Sequence, residues 1–549
     1  MISILSIQSN AKECQVNYRD HIVHYADEDH TQTPENHLIT LNYDTMELLN
    51  IEDLQGSLNH HADPMGTLSK ANYMLLVPKG SNYVTVRDIK SGNFVKKIRL
   101  PFNPRSSDAY NSKKNLVLLT ASNRPAAVLI DPVSLKIVGK AGFNIECNQD
   151  KGIPLNIDDV YDTYNDFDPN IQCKPIDFGG SQISGHPIWI SAKAFVIVDR
   201  ANRLLHVYKI RKNGSRWDTK LVQTIQANTS VHQLIPEDAN NPHNRIFYGM
   251  TESNIAQKQI AGIYKFELVN KTQLKQLSFT PLKIDNIKGL NGHNLYITPD
   301  KRFLYAPVGK RLIEKEAERT WVNGEWKWVR TPVKRWVWSR YQQRWILITQ
   351  YTEGWQWQPG HWKITEATSE ESPKGAIYVV DTDTMQVRTQ IPAGKGAGHV
   401  AFSRQKGIAI VTNHNDDYVT AINYKTHTFI KNIPLGFDKA GIASLTQSHM
   451  QYVSKDGEYY YNFWSDGGVF FRINLSDLEV DASVEVGGIP IQGNFYEHVA
   501  VNCDLPEPAP EDGYDDIFIK NDIKIQEMKV EHKQEESDRD SKQNNDYSD

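Results

Sequence analysis

A hairpin pattern that recurs along most of the chain limits its possible folds more than any other feature. In each copy an apolar strand ends near Asp or Asn, a short polar turn follows, and a second strand closes on Ile, Val or a small residue. Alternating β-branched and aromatic residues around turn residues predict antiparallel hairpins. Six copies are HLITLNYDTMELLNI (37–51), YVTVRDIKSGNFVKKIRL (83–100), AVLIDPVSLKIVGKAG (127–142), IYVVDTDTMQVRTQIPAG (377–394), YVTAINYKTHTFIKNIPLG (418–436) and VFFRINLSDLEVDASVEVGG (469–488).

A second unit lies between these hairpins, with two apolar strands around a Lys, Asp or Gly turn. Examples are GHNLYITPDKRFLYAPV (292–308) and SHMQYVSKDGEYYYNFW (448–464). Four strands per unit, repeating at roughly 40 to 50 residues, predict the blades of an all-β β-propeller. Seven innermost strands are clear, and an eighth blade would join IQGNFYEHVAVN (491–502) to the hairpin at 37–51. The prediction is therefore a seven- or eight-bladed ring; a β-sandwich would not need such regular units.

Composition narrows the class of protein and its partners. The chain has 549 residues, more than one ordinary core holds, and its 39% hydrophobic and 23% charged residues are typical of a globular protein. With 61 basic and 66 acidic residues the chain has no net positive charge that would attract a polyanion, so nucleic acid is not expected as a partner. No apolar segment reaches transmembrane length, which argues against an integral membrane protein.

The N-terminus and the cysteines bear on compartment and cofactor. MISILSIQSN lacks a basic n-region, so the sequence as written predicts a cytoplasmic protein, and a mature or mis-started form would be periplasmic. The four cysteines form neither a CxxC motif nor a CxxCH motif, which excludes covalent c-type haem. They are Cys14, Cys147, Cys173 and Cys503.

The remaining regions define the expected domains. We expect an N-terminal extension (1–36), a propeller (37–503), a Trp-rich β insertion within a blade (312–374) and a disordered acidic tail (504–549). Residues 321–362 contain nine of the twelve tryptophans, and their period-two spacing predicts hairpins with aromatic cross-strand pairs. The tryptophans either hold this module together or form a docking surface for sugars, a membrane interface or a protein partner such as an electron donor.

Histidines recur at one position of the repeat. His186, His293, His399 and His449 each begin an innermost strand, and His61 and His232 begin strands with a longer following turn. Because innermost strands of a propeller converge on its channel, we expect these side chains to meet. Asp108 occupies the same position in the remaining blade, and His60 adjoins His61. The predicted metal ligands are His60, His61, Asp108, His186, His232, His293, His399 and His449.

The ligand type points to redox metals. Imidazole suits copper, iron, zinc and nickel, and a histidine set without thiolate favours copper, then iron or haem, over structural zinc. Calcium and magnesium prefer oxygen ligands. Two alternatives stay open: a histidine at a blade turn also hydrogen-bonds water or backbone, and duplication of a repeat would copy it into every blade.

Two stretches resemble the haem d1 domain of cytochrome cd1 nitrite reductases, one of the YVTN-type propellers. They are VTNHNDDYVTAIN (411–423) and YYYNFWSDGGVFFRINLSDLEVDASVEVGGIPIQGNFY (459–496). That resemblance implies that His414, with His399, lies on the substrate side of an active site. LNHHADP (58–64) and the His-led strands resemble the nitrous oxide reductase propeller, which holds a histidine-ligated copper-sulfide cluster. This second resemblance implies copper ligands at His60, His61, His186, His293, His399 and His449.

Three functional hypotheses result. The leading one is a histidine-lined propeller that binds a redox metal for oxidoreduction or for handling of a metal or cofactor. Neither a CxxCH domain nor a cysteine-rich copper domain accompanies it, so enzymatic activity is left open and electrons would come from a partner. The rival is a scaffold that recruits a protein or glycan through 321–362. A propeller hydrolase is the third, and the chain has no GxSxG motif to support it.

Overall fold

The computed structural model describes the chain between His21 and Glu497, with gaps. The described residues are 21–27, 37–53, 59–65, 73–78, 82–88, 93–111, 113–122, 124–143, 184–239, 241, 243–253, 260–441, 443 and 445–497. The side chains of 21–27, 53, 59–65, 78, 88, 106–109, 491, 492, 494, 496 and 497 also lie outside the description. All regular secondary structure in these residues is β-strand. Within them, no helix is long and apolar enough to cross a membrane.

The chain divides into two compact units. We call Leu312–Glu371 the insert and the remainder, residues 1–311 and 372–549, the body. Strands of the body before the insert are β1 (His21–Asp27), β2 (His37–Asn42), β3 (Glu47–Asp53), β4 (Asn59–Met65), β5 (Tyr73–Pro78), β6 (Tyr83–Asp88), β7 (Phe94–Arg99), β8 (Pro104–Asn111), β9 (Leu116–Ala121), β10 (Ala127–Asp131), β11 (Lys136–Ala141), β12 (Ile188–Ser191), β13 (Ala194–Asp199), β14 (Leu204–Asn213), β15 (Arg216–Gln226), β16 (Val231–Pro236), β17 (Ile246–Thr251), β18 (Gly262–Val269), β19 (Gln273–Pro281), β20 (Lys283–Ile284), β21 (Ile287–Gly292) and β22 (Tyr296–Ile297).

Strand β23 (Phe303–Lys315) runs from the body into the insert. The insert continues with β24 (Glu318–Val322), β25 (Glu325–Ser339), β26 (Arg344–Gln358), β27 (His361–Thr365) and β28 (Thr368–Ser372). The body resumes with β29 (Lys374–Asp381), β30 (Val387–Lys395), β31 (Ala397–Ser403), β32 (Ile408–Asn413), β33 (Tyr418–Asn423), β34 (Thr428–Pro434), β35 (Gln447–Val453), β36 (Tyr459–Trp464), β37 (Val469–Asn474), β38 (Glu479–Glu485) and β39 (Pro490–Glu497).

The sheets follow one another along the chain. Four consecutive strands pair in chain order in β4 to β7, β8 to β11, β12 to β15, β16 to β19, β31 to β34 and β35 to β38. Between the fourth and fifth of these groups lies the sheet β20–β21–β23–β29–β30, with β22 and β28 also paired to β23. The second and third groups join in one eight-stranded sheet, because β11 pairs in parallel with β15 at Gly139 and Trp217. This succession of antiparallel sheets is a propeller-like arrangement, and it confirms the all-β prediction.

Both ends of the described chain meet in one sheet, of order β39–β1–β2–β3. The prediction joined 491–502 directly to 37–51. Instead β1 lies between them, in the segment assigned to an N-terminal extension, with Val23 opposite Phe495 and Tyr25 opposite Ile39. The last part of the chain therefore supplies a strand to the sheet that the first part begins.

Apolar side chains fill the spaces between consecutive sheets. In the described part of the chain seven buried clusters each join two neighbouring groups of strands, as Val86 and Leu119 do, or Ile410 and Trp464. Each fully buried Val, Leu, Ile or Phe contributes about 1.5–3 kcal/mol, so these layers are the main source of stability. At the remaining junction an ion pair joins Arg87 of β6 to Glu52 of β3 at 2.6 Å.

A repeated side-chain turn explains the Asp or Asn of the hairpin pattern. Asp381 Oδ1 accepts hydrogen bonds from the backbone N–H groups of Asp383 and Thr384, at 3.1 and 2.9 Å. Asn423 does the same in its own hairpin. Four residues after each, Met385 and His427 have φ of 55° and 56°, the left-handed conformation that closes the turn.

Candidate metal centre

Six histidine rings of the body form one continuous cluster, which we call the histidine cluster. It consists of His186, His232, His293, His399, His414 and His449. The ring centroids of His186 and His232 are 5.2 Å apart, and those of His232 and His293 are 4.6 Å apart. His399 and His414 continue the cluster at 5.1 Å, and His449 lies 4.7 Å from His414.

Different sheets bring these rings together. His232, His399 and His449 lie at the second or third residue of β16, β31 and β35. His186 precedes β12 and His293 follows β21, while His414 follows β32 directly. The five histidines that were expected to begin innermost strands therefore lie together. His414 joins them from the end of β32, the strand that pairs with β31.

Three members of the histidine cluster meet closely enough to share an ion. His293, His399 and His449 each offer one ring nitrogen, and the three nitrogens lie within 4.8 Å of one another. All three side chains are half-buried. Their ring centroids are 5.1 to 5.7 Å apart.

Neighbouring polar groups orient two of the rings. The Tyr296 hydroxyl is 2.8 Å from His399 Nδ1. As placed, the Asn294 amide nitrogen lies 3.1 Å from the same atom and donates to it, which puts the ring proton on Nε2. Exchanging the amide nitrogen and oxygen of Asn294, so that Nδ1–H donates to the oxygen, leaves Nε2 free to bind a metal. His414 Nδ1–H donates to the backbone carbonyl of Gln447 at 3.1 Å, which leaves its Nε2 as the free acceptor. Such contacts fix ring orientation and tautomer, as they do around protein metal sites.

A carboxylate holds a third ring. His232 Nδ1–H donates to Glu252 Oε1 at 3.0 Å, and the same oxygen accepts a hydrogen bond from Arg200. Arg200 therefore compensates the charge of Glu252, and the surroundings of His232 carry no surplus negative charge.

Five rings of the histidine cluster have a buried nitrogen with no hydrogen-bond partner among the described protein atoms. A buried polar atom left unsatisfied costs about 1–3 kcal/mol. Five such nitrogens in one cluster are expected where a ligand binds, because the ligand would satisfy them. The atoms are Nε2 of His232, His399 and His414 and Nδ1 of His293 and His449.

Electrostatics keep these rings neutral. Burial, first of all, holds the pKa of His232, His293, His399 and His449 well below the ordinary value of histidine, and the neighbouring rings lower it further. Burial lowers the pKa of His414 to about 4, against a small opposing effect of its bond to Gln447. Neutral imidazole is the form that binds metals.

Two buried arginines add positive charge. Arg200 contributes to the lowered pKa of His232 and His293, and Arg105 to that of His232 and His449. Arg200 is 8% exposed and Arg105 is 5% exposed. Burial and nearby positive charge thus act together to lower the pKa of these histidines.

Glycine makes room for one ring. A Cβ atom on Gly398 would lie 2.4 Å from His414 Nε2 and 2.6 Å from its Cδ2. Any larger residue at position 398 would therefore displace the His414 ring.

Some predicted ligands cannot be placed. His60, His61 and Asp108 lie in β4 and β8, but their side chains are outside the described residues. The prediction also missed the groups that orient the rings, namely Asn294, Tyr296, Glu252, Arg200 and Gln447. Asn294 and Tyr296 follow His293 by one and three residues, and this is the only sequence signal that any of them carries.

Known structures share this fold. Dihydro-heme d1 dehydrogenase NirN in complex with DHE is 13% identical and superposes with a TM-score of 0.52, over 92% of this chain and 77% of that one. The chain has the fold of a β-propeller. The predicted resemblance to a haem d1-type propeller is thereby confirmed at the level of fold, which is all that this identity supports.

Other propellers match less closely. AztD of Citrobacter koseri is 8% identical with a TM-score of 0.44, over 86% of this chain and 98% of that one. Hydrazine synthase of Kuenenia stuttgartiensis is 9% identical with a TM-score of 0.39, over 80% and 97%. No protein-family model matches the chain, and no curated protein matches its sequence.

Proposed function

We propose that the histidine cluster binds a redox-active transition-metal ion, with copper favoured over iron, and that the chain acts in oxidoreduction or in handling of the metal or its cofactor. One observation carries the proposal. Ring nitrogens of His293, His399 and His449 lie within 4.8 Å of one another, and each of these rings has a buried nitrogen without a hydrogen-bond partner in the described protein.

The donor set selects among metals. Imidazole nitrogens bind copper, iron, nickel and zinc, and divalent copper has the highest affinity for a given site of this kind. The three close ligands include neither a carboxylate nor a thiolate. Calcium and magnesium, which require oxygen ligands, are therefore poor candidates.

The remaining predicted residues take roles within this proposal. His186, His232 and His414 border the three close ligands and would complete the coordination or contact a substrate, His414 being the candidate catalytic residue. We keep His60, His61 and Asp108 as candidate ligands from β4 and β8. Iron, alone or in a haem-type group, is the alternative occupant.

We further propose that the sheets of the body form eight blades over 37–503, completed by β1. Apolar layers between consecutive groups of strands and the antiparallel sheet β39–β1–β2–β3, which combines strands from both ends of the described chain, support this count. The insert would then be a module within the blade formed by β20 to β30, inside the predicted range 312–374.

The test is the metal content of the purified, untagged full-length chain, measured by mass spectrometry together with an absorption spectrum. We expect near-stoichiometric copper in the wild type and a loss of at least tenfold in a variant with His293→Ala and His399→Ala. The matched control carries His243→Ala and His361→Ala, which remove two exposed histidines outside the histidine cluster.

The outcomes separate the alternatives. Copper that is lost from the cluster variant but kept by the control would support the proposal. Iron together with an intense visible absorption band would mean that a haem-type group, and not copper, is bound at the same residues. Wild-type protein that stays metal-free and colourless after incubation with Cu(I), Cu(II) and Fe(II) would disprove a metal function.

A further inference from the structure

The insert contains a long two-stranded hairpin with all its tryptophans on one face. β25 and β26 pair over their whole length, from Glu325 opposite Gln358 to Ser339 opposite Arg344. Side chains alternate between faces along a strand. One face therefore carries the seven tryptophans Trp326, Trp328, Trp336, Trp338, Trp345, Trp355 and Trp357.

Six of these tryptophans form three cross-strand pairs, while Trp336 lies opposite Leu347, and all seven stay open to solvent. Trp326 packs edge-to-face with Trp357, and Trp338 with Trp345, at centroid distances of 5.6 and 5.8 Å. Each of the seven nevertheless remains 47–66% exposed. The cross-strand pairs stabilise the hairpin, while the outer side of the aromatic face is left to contact something else.

Positive charge is concentrated toward the turn of the hairpin. Residues 327–352 contain six Lys or Arg and no Asp or Glu. Lys327 and Arg330 pair with Glu325 and Glu353 near the base of the hairpin. The other four have no carboxylate within ion-pair distance in the described part of the chain, and all are exposed. They are Lys334, Arg335, Arg340 and Arg344.

The backbone limits how such a hairpin meets a partner. The pairing of β25 is to β26 alone, so each strand has an outer edge of unpaired N–H and C=O groups. Such edges cannot enter hydrocarbon, where every backbone group needs a hydrogen-bond partner. Indole rings and cationic side chains, in contrast, both suit the hydrated headgroup layer of a bilayer.

We propose that the turn end of this hairpin, residues 331–352, docks on the surface of an anionic lipid bilayer. Trp336, Trp338 and Trp345 lie in the headgroup layer, and the four unpaired cations contact lipid phosphates. The backbone edges stay in the hydrated layer. The insert thus tethers the chain peripherally, with no part of it crossing the bilayer.

The same charges argue against a second copy as the occupant. Of the four cations, Lys334 lies on the aromatic face and Arg340 in the turn, whereas Arg335 and Arg344 lie on the opposite face. Two copies joined through their aromatic faces would therefore bring Lys334 and Arg340 of each copy close together, and like charges at such a contact repel each other. An anionic surface neutralises them instead. Each Lys or Arg near such a surface contributes about 1 kcal/mol, equivalent to about a fivefold gain in affinity.

The experiment is sedimentation of the full-length chain with lipid vesicles at about physiological salt. Vesicles of phosphatidylcholine alone are compared with vesicles that also contain phosphatidylglycerol. We expect binding only to the mixed vesicles. A variant with Lys334, Arg335, Arg340 and Arg344 changed to Gln should bind on the order of 1,000-fold more weakly. The control changes four exposed lysines of the body to Gln, Lys209, Lys212, Lys220 and Lys275, and should bind within about threefold of the wild type.

Folding of the variant is checked by near-ultraviolet circular dichroism, since the Trp–Trp pairs are untouched by the substitutions. Equal binding to both kinds of vesicle, equal loss in both variants, or no binding to either vesicle would each overturn the proposal. Dimers of the wild type that dissociate on Trp336→Ser would assign the face to a second copy instead. Vesicle binding that is seen only after removal of residues 504–549 would assign the acidic tail as the occupant of the aromatic face.

Discussion

Tyr296 and Tyr305 make the same contact with two histidines in different surroundings. Tyr296 Oη lies 2.8 Å from His399 Nδ1, in the histidine cluster, and Tyr305 Oη lies 2.9 Å from His427 Nδ1, outside it. Burial raises the pKa of both hydroxyl groups, so both stay protonated. The two pairs therefore allow an effect on the metal to be separated from an effect on folding.

We predict that Tyr296→Phe lowers the affinity for the metal about tenfold, because a hydrogen bond that orients a ligand is lost. Tyr305→Phe should leave the affinity unchanged. Both substitutions remove one buried hydrogen bond and should cost about 1 kcal/mol of unfolding free energy. Affinity is measured by competition with a chelator and stability by denaturant unfolding. Equal metal affinity in the two variants would contradict a ligand role for His399.

The histidines themselves could be predicted, but their partners could not. His293, His399 and His449 share a position in a repeat, and repeats of a ring place equivalent residues side by side. Gln447 presents a backbone carbonyl to His414, and any residue type has that group. Glu252 and Arg200 meet His232 only through the packing of two sheets, which leaves no pattern in the sequence.

At the scale of the element, the turn of the β29–β30 hairpin is sensitive to pH. The backbone N–H of Thr384, together with Arg388, lowers the pKa of Asp381 to about 2. A carboxyl group whose pKa is lower in the folded state stabilises the fold above its unfolded value, here 3.8. That contribution disappears as the pH falls from about 4 to about 2.

We predict that Asp381→Asn is less stable than the wild type at pH 7, because it loses the ion pair with Arg388, and that the difference shrinks below pH 4. The amide oxygen still accepts the turn hydrogen bonds, as Asn423 does in its hairpin. Asp381→Ala loses those bonds as well and should cost about 1 kcal/mol more. Thermal unfolding between pH 7 and pH 3 measures this. A pH-independent difference between wild type and Asp381→Asn would show that the charge has no role.

The hairpins were the most predictable elements, since the turn and the alternation are both local. The order of strands within most sheets also follows the chain and could be read from the spacing of the units. The placement of β1 could not, because the segment 1–36 contains no copy of the repeat pattern. A backbone ladder accepts nearly any sequence, and β1 reads HIVHYAD, with two histidines and an Asp.

At the scale of the whole molecule, the body and the insert are expected to respond differently to deletions. We predict that deletion of residues 21–27 lowers the thermal midpoint by about 5 °C or more, because β39 and β2 each lose a neighbouring strand. Replacing residues 317–366 by a short Gly-Ser linker should shift the midpoint of the body by less than about 2 °C and leave its metal content unchanged. Scanning calorimetry and metal analysis test both variants. An equally large shift in the two would show that the insert is part of the folding unit of the body.

The sheet β39–β1–β2–β3 also sets an order of events during synthesis. β1 leaves the ribosome before every other described strand, and its neighbour β39 is the last described strand. At about 5–20 residues per second, on the order of half a minute or more separates them. Throughout that time one edge of β1 lacks its partner and can pair with another chain. All six histidines of the histidine cluster emerge before β39, so a metal can reach them before β39 pairs with β1.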